Sequence, residues 1–374
     1  MKFIAVIFAM LLGWHTAQAQ SPELSIAETT RLILKAEKSA VDAKGWANDL
    51  LDVLRSQGQP ASRENICSAI AVIDQESNFV ADPAVAGLGA LAEKTLRAKA
   101  DRIPILGRLA LQLLESTPSA NDSYMERIRS ARTERDLDMT YRAMVADAGK
   151  RSSLSFVMDS GLLNQVIEDR NDINTIGSMQ VSVRFALDNA KRQRWLPMNL
   201  SDNYATRDEL YTRRGGMYYG VLQLLGYESG YNRKIYRFAD YNAGRYASRN
   251  AAFQKLIVLL SKTEIATDGD LLLYDKDKRA LAKVSKSEYA LRKIVADYHL
   301  GFDNKQLRSD LLQEKDASFP STQIYQAVRS LVKQPTPFAE IPSIELNSPK
   351  IRHHMTTLNF AQSVDKRYQR CMVK

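Results

Sequence analysis

Hydrophobic residues recur every three to four positions along most of the chain, which is the spacing of an amphipathic helix. The first such stretch opens with Ser25-Ile26-Ala27-Glu28, a sequence that fits a capping box, and runs to Leu54. Gly58 to Pro60 breaks the pattern, and Ser62 can cap the next helix. Further helical patterns cover 91–114, 123–147, 178–193, 207–225, 251–261, 287–299 and 321–332. The chain is therefore predicted to be mainly α.

Strand signals are nearly absent, and the exception lies in the C-terminal half. Leu271 to Tyr274 is followed by a turn-prone run from Asp275 to Lys278 and then by Ala280 to Val284, which predicts one small β-hairpin. Four prolines punctuate 334–350, so this segment is predicted to run extended over the surface. A final amphipathic helix is predicted from Thr356 to Tyr368, packing back on the core.

Residues 1–19 have the features of a secretory signal. Lys2 precedes the apolar run Phe3 to Leu12, and Ala17-Gln18-Ala19 supplies small residues before a cut. The apolar run is too short to cross a bilayer; a buried N-terminal helix is the alternative interpretation. No cysteine stands at the cut, so a lipoprotein anchor is not expected. The mature protein is predicted to be periplasmic, without a transmembrane segment.

Length and composition favour a folded domain with a basic surface. Hydrophobic residues make up 45% of the 374-residue chain, and its length allows one large domain or two modest ones. We predict one α domain over 20–333, followed by the extended segment and helix over 334–374. The net charge is +9, falling to +8 once Lys2 leaves with the signal. An exported basic protein meets few nucleic acids but is attracted to anionic wall polymers and phospholipid surfaces. Nucleic acid is therefore not an expected partner.

The two cysteines, Cys67 and Cys371, allow one disulfide in an oxidising compartment. Such a bond would tie the C-terminal tail to the helix that begins near Ser62. The alternative is a small buried helix residue at Cys67 and a free thiol at Cys371. Four histidines occur, but neither an HExxH nor a CxxC pattern accompanies them, so no metal site is predicted.

The stretch AVIDQESNFVADP, residues 71–83, places carboxylates near the end of a helix. Ile66 and Ile73 lie on the buried stripe of this helix, and Glu76 borders that stripe. Partial burial and the negative end of the helix dipole both favour a protonated acid, as a general acid requires. The alternative for Glu76 is a helix-end charge paired with a nearby Arg or Lys. Asp74 is predicted to lie on the opposite side, in solvent.

Four short motifs follow one another in a fixed order. Glu76-Ser77-Asn78-Phe79 resembles the Glu-Ser-x-Phe signature of the soluble lytic transglycosylases, lysozyme-like enzymes that cleave bacterial peptidoglycan, and Asp82-Pro83-Ala84-Val85 resembles their Asn-Pro-x-Ala turn. Gly177-Ser178-Met179-Gln180-Val181 resembles Gly-Leu-Met-Gln-Ile. Gly216-Met217-Tyr218-Tyr219 fits Gly-x-x-Tyr, and Tyr241-Asn242-Ala243-Gly244 reproduces Tyr-Asn-Ala-Gly. The resemblance implies a lysozyme-like core.

The resemblance covers about residues 60–90 and 170–260, and it has two local departures. Ser178 replaces the usual Leu of the second motif, and Gly220 follows the third motif where the family prefers Leu. A match of the whole chain to an exported bacterial branch of unassigned function, grouped beside the well-studied lytic transglycosylases, is therefore expected.

A larger departure is the distance between the first two motifs. The family usually separates them by about twenty residues, whereas Gly177 lies 101 positions after Glu76. The extra segment, about 88–172, is helical in pattern and rich in charge. It is predicted to be an inserted helical subdomain that lies against the cleft, where it would lengthen the groove, cover it or bind an envelope protein.

The resemblance implies a reaction with a single catalytic carboxylate. Glu76 would protonate the leaving oxygen of the β-1,4 bond between N-acetylmuramic acid and N-acetylglucosamine. The N-acetyl group of the substrate would assist, and the 6-hydroxyl of the same muramic acid would attack the anomeric carbon. Glu76 would then accept the proton of that hydroxyl, leaving a 1,6-anhydro end. Peptidoglycan glycan strands are the expected partner, and no cofactor is required.

Three residues of the first two motifs are candidate substrate contacts. Ser77 would hydrogen-bond to the acid or to the peptide-bearing side of the substrate, or else bond back to its own helix. Gln180 would offer its amide to the acetamido groups of the sugar. Met179 would pack against a sugar ring, although methionine at such a position is more often part of the core.

Three residues of the later motifs complete the candidate site. Tyr241 and Asn242 would face Glu76 and orient it, or would instead knit their own loop together. Tyr219 is predicted to be an aromatic cleft wall on a buried helix. Phe79 is assigned to the core.

Two other functions remain open. A second carboxylate across the cleft would make the protein a muramidase-type hydrolase. The candidates for it are Asp240, Glu168, Asp169 and Asp172. The substitutions at Ser178 and Gly220, together with the insertion, favour a non-catalytic peptidoglycan-binding or scaffold protein on the same fold.

Overall fold

A computed structural model describes residues 22–119, 121–151, 173–275, 278–346 and 355–373. The predicted signal, residues 1–19, lies outside the described residues, as does 152–172 of the insertion. Within the described residues the secondary structure is mainly helical with a few two-residue strands, which confirms the prediction of a mainly α protein. No helix of this part of the chain combines the length and the apolar character needed to span a bilayer.

The elements follow one another in a simple order. The helices are α1 (Ile26–Ala36), α2 (Ala43–Ser56), α3 (Arg63–Ser77), α4 (Leu88–Asp101), α5 (Pro104–Ser116), α6 (Tyr124–Ser130), α7 (Glu134–Arg151), α8 (Val183–Arg192), α9 (Leu200–Leu210), α10 (Arg213–Leu225), α11 (Lys234–Ala243), α12 (Ala247–Ser261), α13 (Lys286–Asp297), α14 (Asn304–Leu311), α15 (Gln323–Ser330) and α16 (Thr357–Met372). The strands pair antiparallel, β1 with β2 and β3 with β4, and are β1 (Pro118–Ser119), β2 (Asp122–Ser123), β3 (Thr175–Ile176) and β4 (Val181–Ser182).

The first helical pattern forms two helices instead of one. The capping box at Ser25 and Glu28 is present and begins α1. The chain then leaves the helix before Asp42, which has a left-handed conformation and accepts a hydrogen bond from the Gly45 amide as the N-cap of α2. Periodicity did not reveal this break, because apolar positions continue at helical spacing across it.

The larger hydrophobic core joins helices from both ends of the chain. Helices α1, α2, α3, α10 and α11 contribute to it, and α16 packs against both α3 and α11. The last helix was predicted to end at Tyr368 and extends one turn further, to Met372. The helix that carries Glu76 is thus enclosed by segments distant in sequence.

Two covalent or charged contacts fasten α16 to α3. Cys67 and Cys371 form a disulfide with their Cα atoms 5.6 Å apart. Asp74 forms an ion pair with Arg367, with 2.9 Å between the Asp74 Oδ2 and Arg367 Nε atoms, and is only 5% exposed. The prediction that Asp74 is solvated was wrong, because α16 covers that side of α3. This burial raises the pKa of Asp74 above its ordinary value, against the effect of Arg367.

A smaller hydrophobic core forms in the C-terminal half. It is built by α12 to α15 around stacked and edge-on rings of Phe253, Phe319 and Tyr325. The predicted hairpin near Leu271 is reduced to an isolated bridge between Tyr274 and Ala280. The described part of the proline-rich segment contains no helix, and its amides donate to backbone carbonyls in α12 and just after it.

The described part of the insertion consists of α4 to α7 and the β1–β2 pair. Helices α4 and α5 pack closely where Gly107 meets Ala100, because a β-carbon at Gly107 would lie 2.0 Å from the Ala100 carbonyl oxygen. The insertion also pairs with the turn of the first motif. Ala84 forms a bridge with Thr133, and the Val85 amide donates to the Arg132 carbonyl at 2.9 Å.

Candidate active site

The candidate acid lies at the end of α3. Glu76 is the penultimate residue of this helix and is partly buried. Asn78 and Phe79 both have positive φ, 49° and 62°, so the chain turns away immediately after Ser77. Phe79 is buried edge-on against Trp46 with ring centroids 5.4 Å apart, as expected of a core residue. This turn anchors the helix end and holds Glu76 in place.

The second motif forms the loop of the β3–β4 hairpin. Gly177 and Gln180 have φ of 83° and 47°, and the Gln180 amide donates to the Gly177 carbonyl at 3.0 Å. A β-carbon at Gly177 would lie 2.2 Å from the Leu210 carbonyl oxygen, so this position requires glycine. The prediction of a helix from residue 178 was wrong; α8 begins at Val183, because the left-handed residues form a turn instead.

Tyr241 joins the fourth motif to the second. Its hydroxyl donates to the Met179 carbonyl at 2.7 Å, and the ring is buried. Burial raises the pKa of the Tyr241 phenol well above its ordinary value, and the nearby Glu76 carboxylate adds to this rise. Tyr241 thus contacts the hairpin loop, 62 residues earlier in the chain, and is influenced by the charge of Glu76, 165 residues earlier.

The third motif supplies glycines against which the hairpin packs. A β-carbon at Gly220 would lie 2.3 Å from the Met179 sulfur, and one at Gly216 would lie 3.0 Å from the Ser178 hydroxyl oxygen. Met179 is fully buried and is therefore a core residue, the alternative given for it from the sequence. The Met179 side chain fills the space that a larger residue at position 220 would need.

Tyr219 lies on the buried side of α10. Its hydroxyl donates to the Glu209 carboxylate at 3.3 Å, and its ring packs edge-on against Tyr218. Burial raises the pKa of the Tyr219 phenol, and the Glu209 charge contributes. The phenol therefore links α10 to α9.

Ser77 and Asn242 each bond to a structural partner. The Ser77 hydroxyl donates to the Ile73 carbonyl at 3.1 Å, which is the alternative given for this residue. Asn242 is exposed, and its side-chain oxygen accepts from the Thr357 hydroxyl at 2.9 Å. Asn242 thus connects the end of α11 to the start of α16.

Gln180 is held by a residue that the sequence did not point to. Its amide nitrogen donates to Glu134 at 3.1 Å, and its amide oxygen accepts from Thr175 at 3.1 Å. Glu134 is the first residue of α7 and is only 2% exposed. No motif marks Glu134. The available signal was the pair of acids that follows Thr133, Glu134 and Asp136, which is typical of the first turn of a helix. It lies inside a pattern that was interpreted as one continuous helix.

Further acids surround Glu134 where the insertion meets the first motif. Asp82 is partly buried, and burial raises its pKa even though Thr133 donates a hydrogen bond to it. The carboxylates of Asp136 and Glu134 add to this rise. Within the described residues no group of three or more His, Cys, Asp or Glu side chains is arranged to hold a metal ion.

Asp240 is engaged within its own turn. It is 1% exposed and accepts hydrogen bonds from four groups, the Tyr227 hydroxyl, the Tyr231 hydroxyl, the Tyr246 amide and the Ser248 amide, at 2.6 to 3.1 Å. A carboxylate with these partners stabilises the turn and is unsuited to activating water. Glu168, Asp169 and Asp172 lie outside the described residues.

Two cavities of the described surface lie away from the acid. One, of about 290 Å³, is lined by Asp74 and Arg367 between α3 and α16. It is on the opposite side of α3 from Glu76, since positions two apart on a helix point about 200° apart. The other, of about 380 Å³, lies beside Gln306 and Asp310.

The chain matches a known family over most of its length. Residues 39–374 match the family described as "Protein of unknown function (DUF1615)". The chain is 36% identical over 377 residues to "Uncharacterized protein YaiW" of Escherichia coli (strain K12), covering 99% of this chain and 97% of that protein. No solved structure matches the chain. From the extent of the family match, the chain belongs to the DUF1615 family.

Proposed function

We propose that this protein is a peptidoglycan lytic transglycosylase with Glu76 as its single acid and base. The observation that carries the proposal is the hydrogen bond from the Tyr241 hydroxyl to the Met179 carbonyl, made by a phenol whose pKa the Glu76 charge helps to raise. It joins the second and fourth motifs, the Glu76 charge of the first motif acts on the same phenol, and the glycines of the remaining motif pack against the same loop. A chance set of short motifs would have no reason to converge in this way.

The chemistry needs one proton donor that later becomes a proton acceptor. Glu76 protonates the glycosidic oxygen as its bond to the muramic acid carbon breaks. The N-acetyl group of the substrate stabilises the positive charge at that carbon, and the 6-hydroxyl oxygen then bonds to it. Glu76 takes the proton released by that hydroxyl and returns to its starting state. Water is not consumed.

Tyr241 acts in this proposal as a positioning residue. Its hydroxyl is committed to the Met179 carbonyl, which fixes the hairpin loop relative to α11. A buried phenol with a raised pKa stays neutral, so it adds no charge that would compete with the proton on Glu76. In this proposal the hairpin loop and Glu76 keep their relative positions while the substrate is cleaved.

A second candidate function is a peptidoglycan-binding protein without turnover. It is favoured by Gln180, whose amide is already bonded to Glu134 and Thr175 instead of being open to a sugar. In that case Glu134 of the insertion would occupy the hydrogen-bonding position that a substrate sugar would take beside Gln180.

Mass spectrometry of the sugars released from purified wall sacculi distinguishes these functions. We expect 1,6-anhydro muropeptides from the wild-type protein and none from Glu76→Gln, which should still bind the sacculi. The matched control is Glu228→Gln, since Glu228 is exposed in a loop after α10. Products heavier by one water would indicate a hydrolase, and binding without any release would support the second candidate. Full release by Glu76→Gln would remove the assignment of the acid.

A further inference from the structure

The outer face of α5 is an apolar stripe exposed to solvent. Ile105, Leu106, Leu109 and Leu113 are 84%, 67%, 61% and 49% exposed, and Ile103 just before the helix is 56% exposed. On a helix the four positions fall within about 100° of arc, so they form one continuous stripe. Solvent-exposed aliphatic surface of this extent marks an interaction site.

The inner face of the same helix is already occupied. Gly107 is buried against Ala100 of α4, and α5 also packs on α6. The exposed stripe is therefore additional to the contacts that hold α5 in the fold. A helix that is apolar on both faces is typical of one that is covered on both faces.

The surroundings of the stripe favour an anionic partner. Arg102 and Arg108 are exposed at its edge, with Asp101 as an acid nearby. Glu115, the acid of α5, is engaged by Arg129 at 2.8 Å. The edge therefore presents more positive than negative charge, on a chain whose net charge is +9.

We propose that α5 lies flat on an anionic phospholipid surface, with the stripe embedded at the boundary between headgroups and acyl chains. The stripe is purely aliphatic, whereas the residues that dominate protein interfaces are Tyr, Trp and Arg. With 13 residues the helix is about 20 Å long, too short to cross a hydrocarbon core of about 30 Å, but suited to an in-plane position. Its aliphatic side chains and basic edge supply the two contributions that such binding combines.

Cosedimentation of the purified protein with vesicles tests this proposal. We expect binding to vesicles of phosphatidylcholine with phosphatidylglycerol, and binding at least about tenfold weaker to phosphatidylcholine alone. The variant Ile105→Ser/Leu109→Ser should lose at least about tenfold in binding to the anionic vesicles. The matched control is Val41→Ser/Leu312→Ser, which removes two aliphatic side chains that are 82% and 55% exposed elsewhere.

Several results would overturn the proposal. The first is binding of Ile105→Ser/Leu109→Ser to the anionic vesicles as strong as that of the wild-type protein. The second is equal binding of the wild-type protein to both vesicle compositions. A third is a dimer in sedimentation velocity that Ile105→Ser/Leu109→Ser abolishes while vesicles are not bound, since a second copy would then cover the stripe. Circular dichroism checks that the variants keep their helices, which is expected because both side chains are exposed.

Discussion

Gly220 leaves no room for a larger side chain at this position. Replacing it by Leu would place carbon atoms where the Met179 side chain lies, with the first of them 2.3 Å from the sulfur. We expect Gly220→Leu to lower the free energy of unfolding by about 2–3 kcal/mol, as overpacked cores do, measured by urea denaturation. Met179→Ala/Gly220→Leu should lose less than the sum of its single variants. Additive losses would contradict the packing described here.

Some residue roles could be predicted from the sequence, and others required the fold. Phe79 was assigned to the core from its type and position, and Met179 had burial as its stated alternative. Asp74 and Glu134 were missed for one reason: the partners that bury them, α16 and Gln180, are distant in sequence. Local periodicity gives the face of a helix but not what covers that face.

The attachment of α16 to α3 is the element-scale contact with the clearest test. The disulfide closes a loop between positions 304 residues apart, which restricts the unfolded chain. We expect Cys67→Ala/Cys371→Ala to lower the free energy of unfolding by about 2–5 kcal/mol, measured by thermal or urea denaturation. Removing the disulfide should increase the rate of amide hydrogen exchange more in α16 than in α12 of the second core. An unchanged exchange rate in α16 would show that packing alone holds this helix.

Glu314 makes the stability of the second core depend on pH. It is fully buried and accepts hydrogen bonds from the Leu271 amide at 2.5 Å and from the Tyr274 hydroxyl. Burial raises its pKa from the ordinary 4.5 to about 7, against the effect of Lys315. The folded state then binds the proton more tightly than the unfolded chain, so stability falls as pH rises from about 4.5 through about 7.

The corresponding experiment compares urea unfolding at several values of pH. We expect the wild-type protein to lose on the order of 1–3 kcal/mol between the two ends of this pH range because of Glu314. Glu314→Gln cannot ionise, so its unfolding free energy should show a flatter slope over the same range, whatever its absolute value. Equal slopes for the two proteins would mean that another group titrates there.

At the scale of elements, helices were predictable and their interruptions were not. Continuous apolar spacing hid the break before Asp42 and the gap between α6 and α7. Residues 178–180 of the hairpin loop were interpreted as part of a helix, because the turn depends on left-handed backbone at Gly177 and Gln180. Such conformations are set by packing against Leu210 and α10, which a single stretch of sequence does not contain.

The net charge of +9 acts at the scale of the whole molecule. If the protein associates with anionic wall polymers, that association should weaken as the salt concentration increases. The reason is that the Debye screening length shortens from about 10 Å at 0.1 M to about 3 Å at 1 M. We expect the fraction bound to sacculi in a pull-down to fall several-fold over this range. Salt-independent binding would show that the charge has no part in the association.

The helical character of segment 88–172 could be predicted from the sequence, but its contacts could not. The long distance between Glu76 and Gly177 led to the prediction of an inserted helical segment, and its described part is helical. Its bridge to the first motif and its hydrogen bond to Gln180 depend on Thr133 and Glu134, which belong to no motif. Only the assembled chain brings these residues to the candidate site.

The position of α16 in the core has a consequence for how the molecule is assembled. The helix bearing Glu76 is covered by a segment that is synthesised about 280 residues later. Until that segment has emerged, the N-terminal helices expose the surface that it will cover, and they are open to chaperones and proteases. A product truncated before Thr357 should therefore be removed by cellular proteolysis instead of accumulating as a partly active fragment.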